Sequence, residues 1–218
     1  MDETPAHPVP PSVRAQVLAT EHWSLLATRS MTWSEVMSRI TIHLTVTSAS
    51  LVVLALVAQA TGFGTGFRVM AIGLAAYSLV LGTLTAVRVH NASHDDAAMV
   101  IGMNLLRAAY LELDPGIAPF LVAGTTGDRA GLMRTYLMGS RRSTFSHVVA
   151  STVMFMNAVN TMVAGTLGAL VAYAVGAGTV GTTVAGVLAA VAHLGAMVEW
   201  GRRTFGVDPP RAGPGGVP

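Results

Sequence analysis

Cysteine is absent from the chain, so no disulfide framework, thiolate metal site or thiol nucleophile can form. Lysine is absent too, and every one of the 13 basic residues is Arg, a bias of the kind a GC-rich genome produces. Charge of either sign is scarce. Asp, Glu, Lys and Arg together make up 11% of the residues, against roughly 25% in ordinary soluble domains. A polar surface on the usual scale cannot be built from that. The net charge of +2 and the 6% of aromatics give no basic-aromatic patch for nucleic acid. The N-terminus, "MDETPAHPVPPSVRAQ", lacks the basic start and apolar core of a secretory signal, so the first apolar segment is expected to be retained.

What is present is apolar: 52% hydrophobic residues and a mean hydropathy of +0.57. A bilayer core of ~30 Å needs about 20 apolar residues in a helix, and four stretches meet that requirement: Ile40–Ala60, Val69–Val87, Ser146–Tyr173 and Val180–Trp200. "TGFGTGF" separates the first pair and "AVGAGT" (Ala174–Thr179) the second. The expected fold is therefore an all-α polytopic membrane protein, four transmembrane helices arranged as two hairpins with a helical cytoplasmic connection. Its parts are a cytoplasmic tail and amphipathic helix over 1–39, hairpins over 40–87 and 146–200, the connection over 88–145 and a disordered cytoplasmic tail over 201–218.

Arginine sets the orientation. Arg14, Arg29 and Arg39 precede the first span. Arg88, Arg107, Arg129, Arg134, Arg141 and Arg142 lie between spans two and three, and Arg202, Arg203 and Arg211 follow the fourth. Only Arg68 falls on the other side, so the positive-inside rule places both termini and the Arg88–Thr144 connection in the cytoplasm. Trp23, Trp33 and Trp200, with Arg39, Arg141, Arg142, Arg202 and Arg203, are expected as interface anchors. Glu199 stands at helical spacing from Arg202 and Arg203.

Local signals punctuate the cytoplasmic parts. "TWSE" (Thr32–Glu35) has capping-box spacing and predicts a helix start near Trp33. "SHDD" (Ser93–Asp96) predicts a second start, and "DPG" (Asp114–Gly116) a stop after Leu113. The interior "AAMVIGMNLLRAAYLEL" is apolar almost all round and must pack on the bilayer face, the spans or a second subunit. A short helix over about Arg129–Met138 follows "AGTTGD". Each hairpin opens beside a His, in "SRITIHL" and "STFSHVV", without further identity between the two.

Polar residues inside the spans are the candidate sites. Thr41, Thr45 and Ser48 fall within ~40° of one another on a helix wheel, and His43, Thr47 and Ser50 form a stripe roughly opposite. Packing on neighbours through small residues is favoured over a water-lined path. Asn157, Thr161, Ala164 and Gly168 share a face of span three, with Asn160 about 60° away. Gly181/Ala185 and Gly186/Ala190 in span four, and Ala71/Ala75 with Gly82/Ala86 in span two, have close-contact spacing. His193 lies roughly 10 Å inside Trp200, at a depth shared by Thr47, Ser48, Ser78, Ser151 and Thr152, with Asn157 a turn deeper. Thr47, Ser48, Ser151, Asn157, Asn160 and His193 are thus the candidates for a buried hydrogen-bond layer or polar path. His43, four residues past Arg39, is read as interfacial.

No Asp or Glu occupies the core of any span, which disfavours a coupled transporter. His90, His94 and Asp95 would share a face as metal ligands only in a continuous helix, whereas a cap at Ser93 predicts a break, so no metal and no cofactor is expected. "GTTGDRAG" lacks the Gly-Lys-Ser/Thr of a phosphate loop. No nucleophile-base or paired-carboxylate pattern marks an enzyme.

Through "EHWSLLATRSMTWSEVMSRI" and "ALVAQATGFG", and again at "GMNLLRAAYLELDP" and "SHVVASTVMFMNAVNTMVAGTLGALV", the chain resembles a group of actinobacterial four-span integral membrane proteins with no established activity. The resemblance covers most of residues 21–200. It implies an actinobacterial inner membrane and four spans, and carries over no site. The two-span-plus-cytoplasmic-helix plan is also loosely similar to proposed pore-forming effectors of bacterial conflict systems. The expected partners are the lipid bilayer and a second copy or another membrane protein, with no nucleic acid. The expected function is a non-catalytic membrane subunit or scaffold; the alternative is an oligomeric channel or pore lined by spans one and three.

Overall fold

The computed structural model describes residues 9–138 and 151–204, and all its regular elements there are helical. Helix α1 covers Pro11–Thr61 and α2 Thr65–Leu113. A short 3-10 helix (Pro115–Phe120) follows, then α3 (Arg129–Leu137), α4 (Thr152–Ala174) and α5 (Thr179–Thr204). The helices α1, α2, α4 and α5 are each long and apolar enough to cross a membrane.

Two expected helix starts do not occur. Rather than opening near Trp33, α1 begins at Pro11, whose fixed φ suits a first turn, and it runs without Gly or Pro to Thr61. The Glu35 carboxylate, which a capping box would turn back onto its own backbone, instead binds Arg88 Nη2 at 2.6 Å and Arg39 Nε at 2.7 Å. The break expected at Ser93 is also missing: α2 continues through it, and Ser93 Oγ donates to the Val89 carbonyl at 2.9 Å. A Ser inside a helix has this alternative to capping.

The expected stops are present. At Gly62, φ is +66° and the amide donates to the Ala58 carbonyl, closing α1 with the left-handed residue that glycine supplies most readily. Asp114, extended ahead of Pro115, ends α2, and its Oδ1 accepts from Gly116 N at 2.8 Å. Asp128 caps α3 by accepting from Gly131 N at 2.8 Å, and Ser151 caps α4 by accepting from Met154 N at 3.3 Å. Span three was expected from Ser146; residues 146–150 lie outside the described residues, and α4 starts at Thr152.

Contacts divide the chain into two bodies. The first holds α1 up to Thr32, α2 from His94, the 3-10 helix and α3. Its core joins Val100, Ile101 and Met103 of α2 to Leu132 of α3, with Leu25 of α1 and Tyr136 packed against them. The apolar run after Ser93 therefore finds its cover within the chain. The second body holds α1 from Trp33, α2 up to Ser93, α4 and α5. Val36 and Ile40 meet Ala86, Val89, Ala92 and Met156 in its core.

In the second body α4 and α5 touch through glycine. A Cβ added at Gly168 would lie 2.5 Å from Ala189 Cβ and 3.0 Å from the Ala185 carbonyl oxygen, and one at Gly165 would lie 3.2 Å from Ala190 Cβ. Small residues at the contact let the two helix backbones approach closely. The Gly186/Ala190 spacing seen in the sequence is used here.

Candidate functional site

The polar residues of the first apolar segment sort cleanly by face. Thr41, Thr45 and Ser48 are exposed at the surface of the chain, whereas His43 is fully buried and Thr47 and Ser50 are half-buried. Thr47 Oγ1 donates to the His43 carbonyl at 2.9 Å and meets Ser78 Oγ of α2 at 2.6 Å. Ser50 Oγ returns to the Val46 carbonyl at 2.8 Å and Thr41 Oγ1 to Met37 at 2.9 Å. The hydroxyls of Thr41, Thr47 and Ser50 are thereby satisfied by the preceding turn, which makes them tolerable in an apolar helix.

One turn from the Thr47–Ser78 pair, three helices converge at Gly82. Both His43 of α1 and Asn160 of α4 have no exposed surface. A Cβ at Gly82 would fall 2.0 Å from Asn160 Oδ1 and 2.7 Å from His43 Cε1, so glycine is required for this approach. Both ring nitrogens of His43 and both polar atoms of the Asn160 amide are enclosed without a hydrogen-bond partner. Asn157 Oδ1, Thr161 Oγ1 and His193 Nε2 share that condition. Unpaired buried groups cost roughly 1–3 kcal/mol each, so these groups are the least self-satisfied among the described residues.

The sequence missed His43. Four residues after Arg39 it reads as interfacial, and only its neighbour Gly82 reveals that its face is turned inward. Of the other candidates, Asn157 and Asn160 are buried, His193 is half-buried, Ser48 faces outward and Ser151 serves as the cap of α4. The six candidates do not form one hydrogen-bonded layer: Thr47 bonds Ser78, while Asn157 Oδ1 and His193 Nε2 bond nothing.

The anchors behave as ion-pair partners. Arg88 first and Arg39 second hold the Glu35 carboxyl at about 2, far below its usual 4.5. Arg203 Nε binds Glu199 at 2.7 Å, with Arg202 at 4.0 Å. Trp23 is exposed, and Trp33 packs against the core of the second body. The Trp200 ring lies 4.6 Å from that of His90, tilted by 47°, and His90 Nε2 shares a 2.7 Å hydrogen bond with Thr204 Oγ1. Arg141, Arg142 and His147 lie outside the described residues. The continuous α2 removes the break between His90 and His94, yet no group of three His, Asp or Glu residues among the described residues is placed to hold a metal, Asp95 included.

The first body carries a polar network that the sequence did not announce. Asp96, 3% exposed, binds Arg29 Nε at 2.6 Å and accepts from the Tyr136 hydroxyl at 2.8 Å. Burial first, then this hydrogen bond, push the Tyr136 phenol above its ordinary range. The Asp96 bond raises Arg29. Asn104 donates to the Thr126 carbonyl at 3.1 Å and accepts from Thr135 at 2.7 Å, while Thr135 Oγ1 accepts from Gly124 N at 3.0 Å. His22 stacks on Tyr110 at 6.0 Å and is lowered by burial, then by Arg107. These groups pair with one another, the pattern of a folded scaffold. No known protein family, no curated protein and no solved structure matches the chain.

Proposed function

We propose that the protein is a non-catalytic inner-membrane subunit that crosses the bilayer four times as two hairpins, with both termini and the Arg88–Thr144 connection cytoplasmic. It assembles laterally with a second copy through the outer face of α1. The observation that carries this reading is the surface left by the outward hydroxyls. Ser34, Ser38, Thr41, Thr45, Ser48, Val52, Ala55 and Gln59 follow alternating steps of four and three, and all are exposed. That spacing is the left-handed coiled-coil repeat, and small side chains let two helix backbones approach in lipid.

In native-lipid nanodiscs the wild type is expected as a dimer or higher oligomer, and Thr41→Leu/Thr45→Leu/Ser48→Leu as a monomer of unchanged helicity. A monodisperse wild-type monomer overturns the reading.

A second reading, a pore, is favoured by the enclosed, unpartnered His43, Asn157 and Asn160 on the two spans expected to line a path. Liposome ion flux that changes with Asn157→Leu or His193→Ala would select it; silence across ions and pH selects the scaffold.

A further inference from the structure

One cation of the second body stands apart from every acid in it. Arg68 lies in the first turn of α2, just past the turn that joins α1 to α2. The acids of that body are Glu35 and Glu199 alone, since the sequence holds no Asp or Glu over 36–94 or 129–198. Glu35 binds Arg88, which lies about 30 Å further along α2 at 1.5 Å per residue. Glu199 binds Arg203 and adjoins Trp200, whose ring lies beside His90 of α2, at that same far end. Neither acid can reach Arg68. The charge also sits at the positive pole of its own helix, where an anion is favoured and a cation is not.

The side chain is nonetheless held in place. Its Cζ lies 5.8 Å from the centre of the Tyr173 ring of α4, a cation–π contact. Nη2 donates to Thr65 Oγ1 at 3.2 Å. Nε is enclosed, which leaves Nη1 as the open side of the fork. A guanidinium presents its donors in a fixed plane that matches phosphate oxygens. The neighbours of this pair in sequence are apolar and outward: Val69 and Val175 are 68% and 80% exposed. Phe63, also exposed, meets the Phe67 ring edge to face.

On the reading that these helices cross a bilayer, we infer that Arg68 binds the phosphodiester of an anionic phospholipid in the leaflet at the α1–α2 turn. The second apolar stretch begins at Val69, so the guanidinium stands at headgroup level, with aromatic rings beside it as at other membrane interfaces. The exposed valines and rings suit a ligand that brings its own acyl chains, and a free phosphate would gain nothing from them. A headgroup without a cation is preferred, because choline would set a further positive charge beside Arg68 and the helix pole.

The test uses the full chain in nanodiscs with a dansyl label at Gly64→Cys. The chain has no other cysteine, and a Cβ at Gly64 meets nothing within 4 Å. The host lipid is phosphatidylcholine, with a small share of spin-labelled phosphatidylglycerol or of spin-labelled phosphatidylcholine as a short-range quencher. The phosphatidylglycerol is expected to associate at the label about fivefold more strongly, the equivalent of the ~1 kcal/mol of one basic residue at an anionic lipid. Arg68→Gln should bring the two lipids to parity, and a preference that survives this change overturns the proposal. Equal quenching of the unsubstituted Arg68 chain by both lipids overturns the site and leaves the membrane-crossing reading standing. No quenching by either lipid overturns both. Reversal of the preference by excess inorganic phosphate at constant ionic strength would assign Arg68 to a free anion and overturn the lipid. The comparison of lipids needs no change at Arg68, so it decides the matter even if Arg68→Gln fails to fold.

Discussion

Gly82→Ala places one methyl group where three helices meet. The new Cβ would sit 2.0 Å from Asn160 Oδ1, 2.9 Å from Asn160 Cγ and 2.7 Å from His43 Cε1. Heavy atoms rest at about 3.5–4.0 Å, so Asn160 must retreat by about 1.5 Å or α2 must shift. Neither His43 nor Asn160 has exposed surface to yield. Overpacking of this kind costs about 1–3 kcal/mol. The intrinsic preference of a helix for Ala over Gly acts the other way by about 1 kcal/mol. Gly73→Ala isolates the second effect, because on the same helix its Cβ meets nothing within 4 Å. Gly73→Ala should therefore stabilise modestly, and Gly82→Ala should fall about 1–3 kcal/mol below it. The assay is reversible unfolding in bicelles or by steric trapping. Asn160→Ala removes the worst contact and the one to Cγ, leaving that to His43, so Gly82→Ala/Asn160→Ala should recover part of the loss, a positive coupling in the double-mutant cycle. Matching stabilities for Gly73→Ala and Gly82→Ala, or additive singles, would refute the three-helix contact.

Three further expectations follow from other contacts. Glu35 is held at about 2, below its unfolded value, so its ties to Arg88 and Arg39 contribute in full above about pH 4.5 and are lost as pH falls through 2. Wild-type melting temperature should drop across that window, and that of Glu35→Gln should be flatter; parallel curves refute it. Asp96→Ala strands the Arg29 guanidinium and removes the acceptor of Tyr136; loss of one member of a buried pair costs about 3–5 kcal/mol, here toward the lower end because Arg29 is one-third exposed. Hydrogen exchange of the 94–113 amides should accelerate, and unchanged protection would contradict the pairing. Gly168→Leu drives a side chain into Ala189 and Ala185 and should part α4 from α5, read as the loss of a cysteine cross-link engineered between the two helices.

Much of the fold was legible because local chemistry fixed it. Pro115 had to end α2, the turn-rich "AGTTGD" had to lead into a short helix, and the glycines and alanines of α4 and α5 had the spacing their contact needs. The missed breaks at Trp33 and Ser93 have one cause. A capping residue states only that it can end a helix, and flanking residues that propagate the helix, with other partners for Glu35 and Ser93, decide otherwise. The buried site was less legible because its members are distant in sequence. His43 looked interfacial by its neighbours and became interior through Gly82 and Asn160. Asp96 was assigned to a helix start, but Arg29 claims it from 67 positions away. The hydroxyls of α1 were readable as two stripes; which one the chain would bury depended on Ser78.

The uninterrupted course of α1 has a mechanical consequence. With neither glycine nor proline between Trp33 and Thr61, the part of α1 in the second body contains no swivel at which twist could be dissipated. A neighbour that rotates the segment around Thr45 must therefore turn Ser34 with it. Spin labels at those two sites should report one common torsion, so a touch at one end of this stretch is announced at the other without any loop having to reorganise.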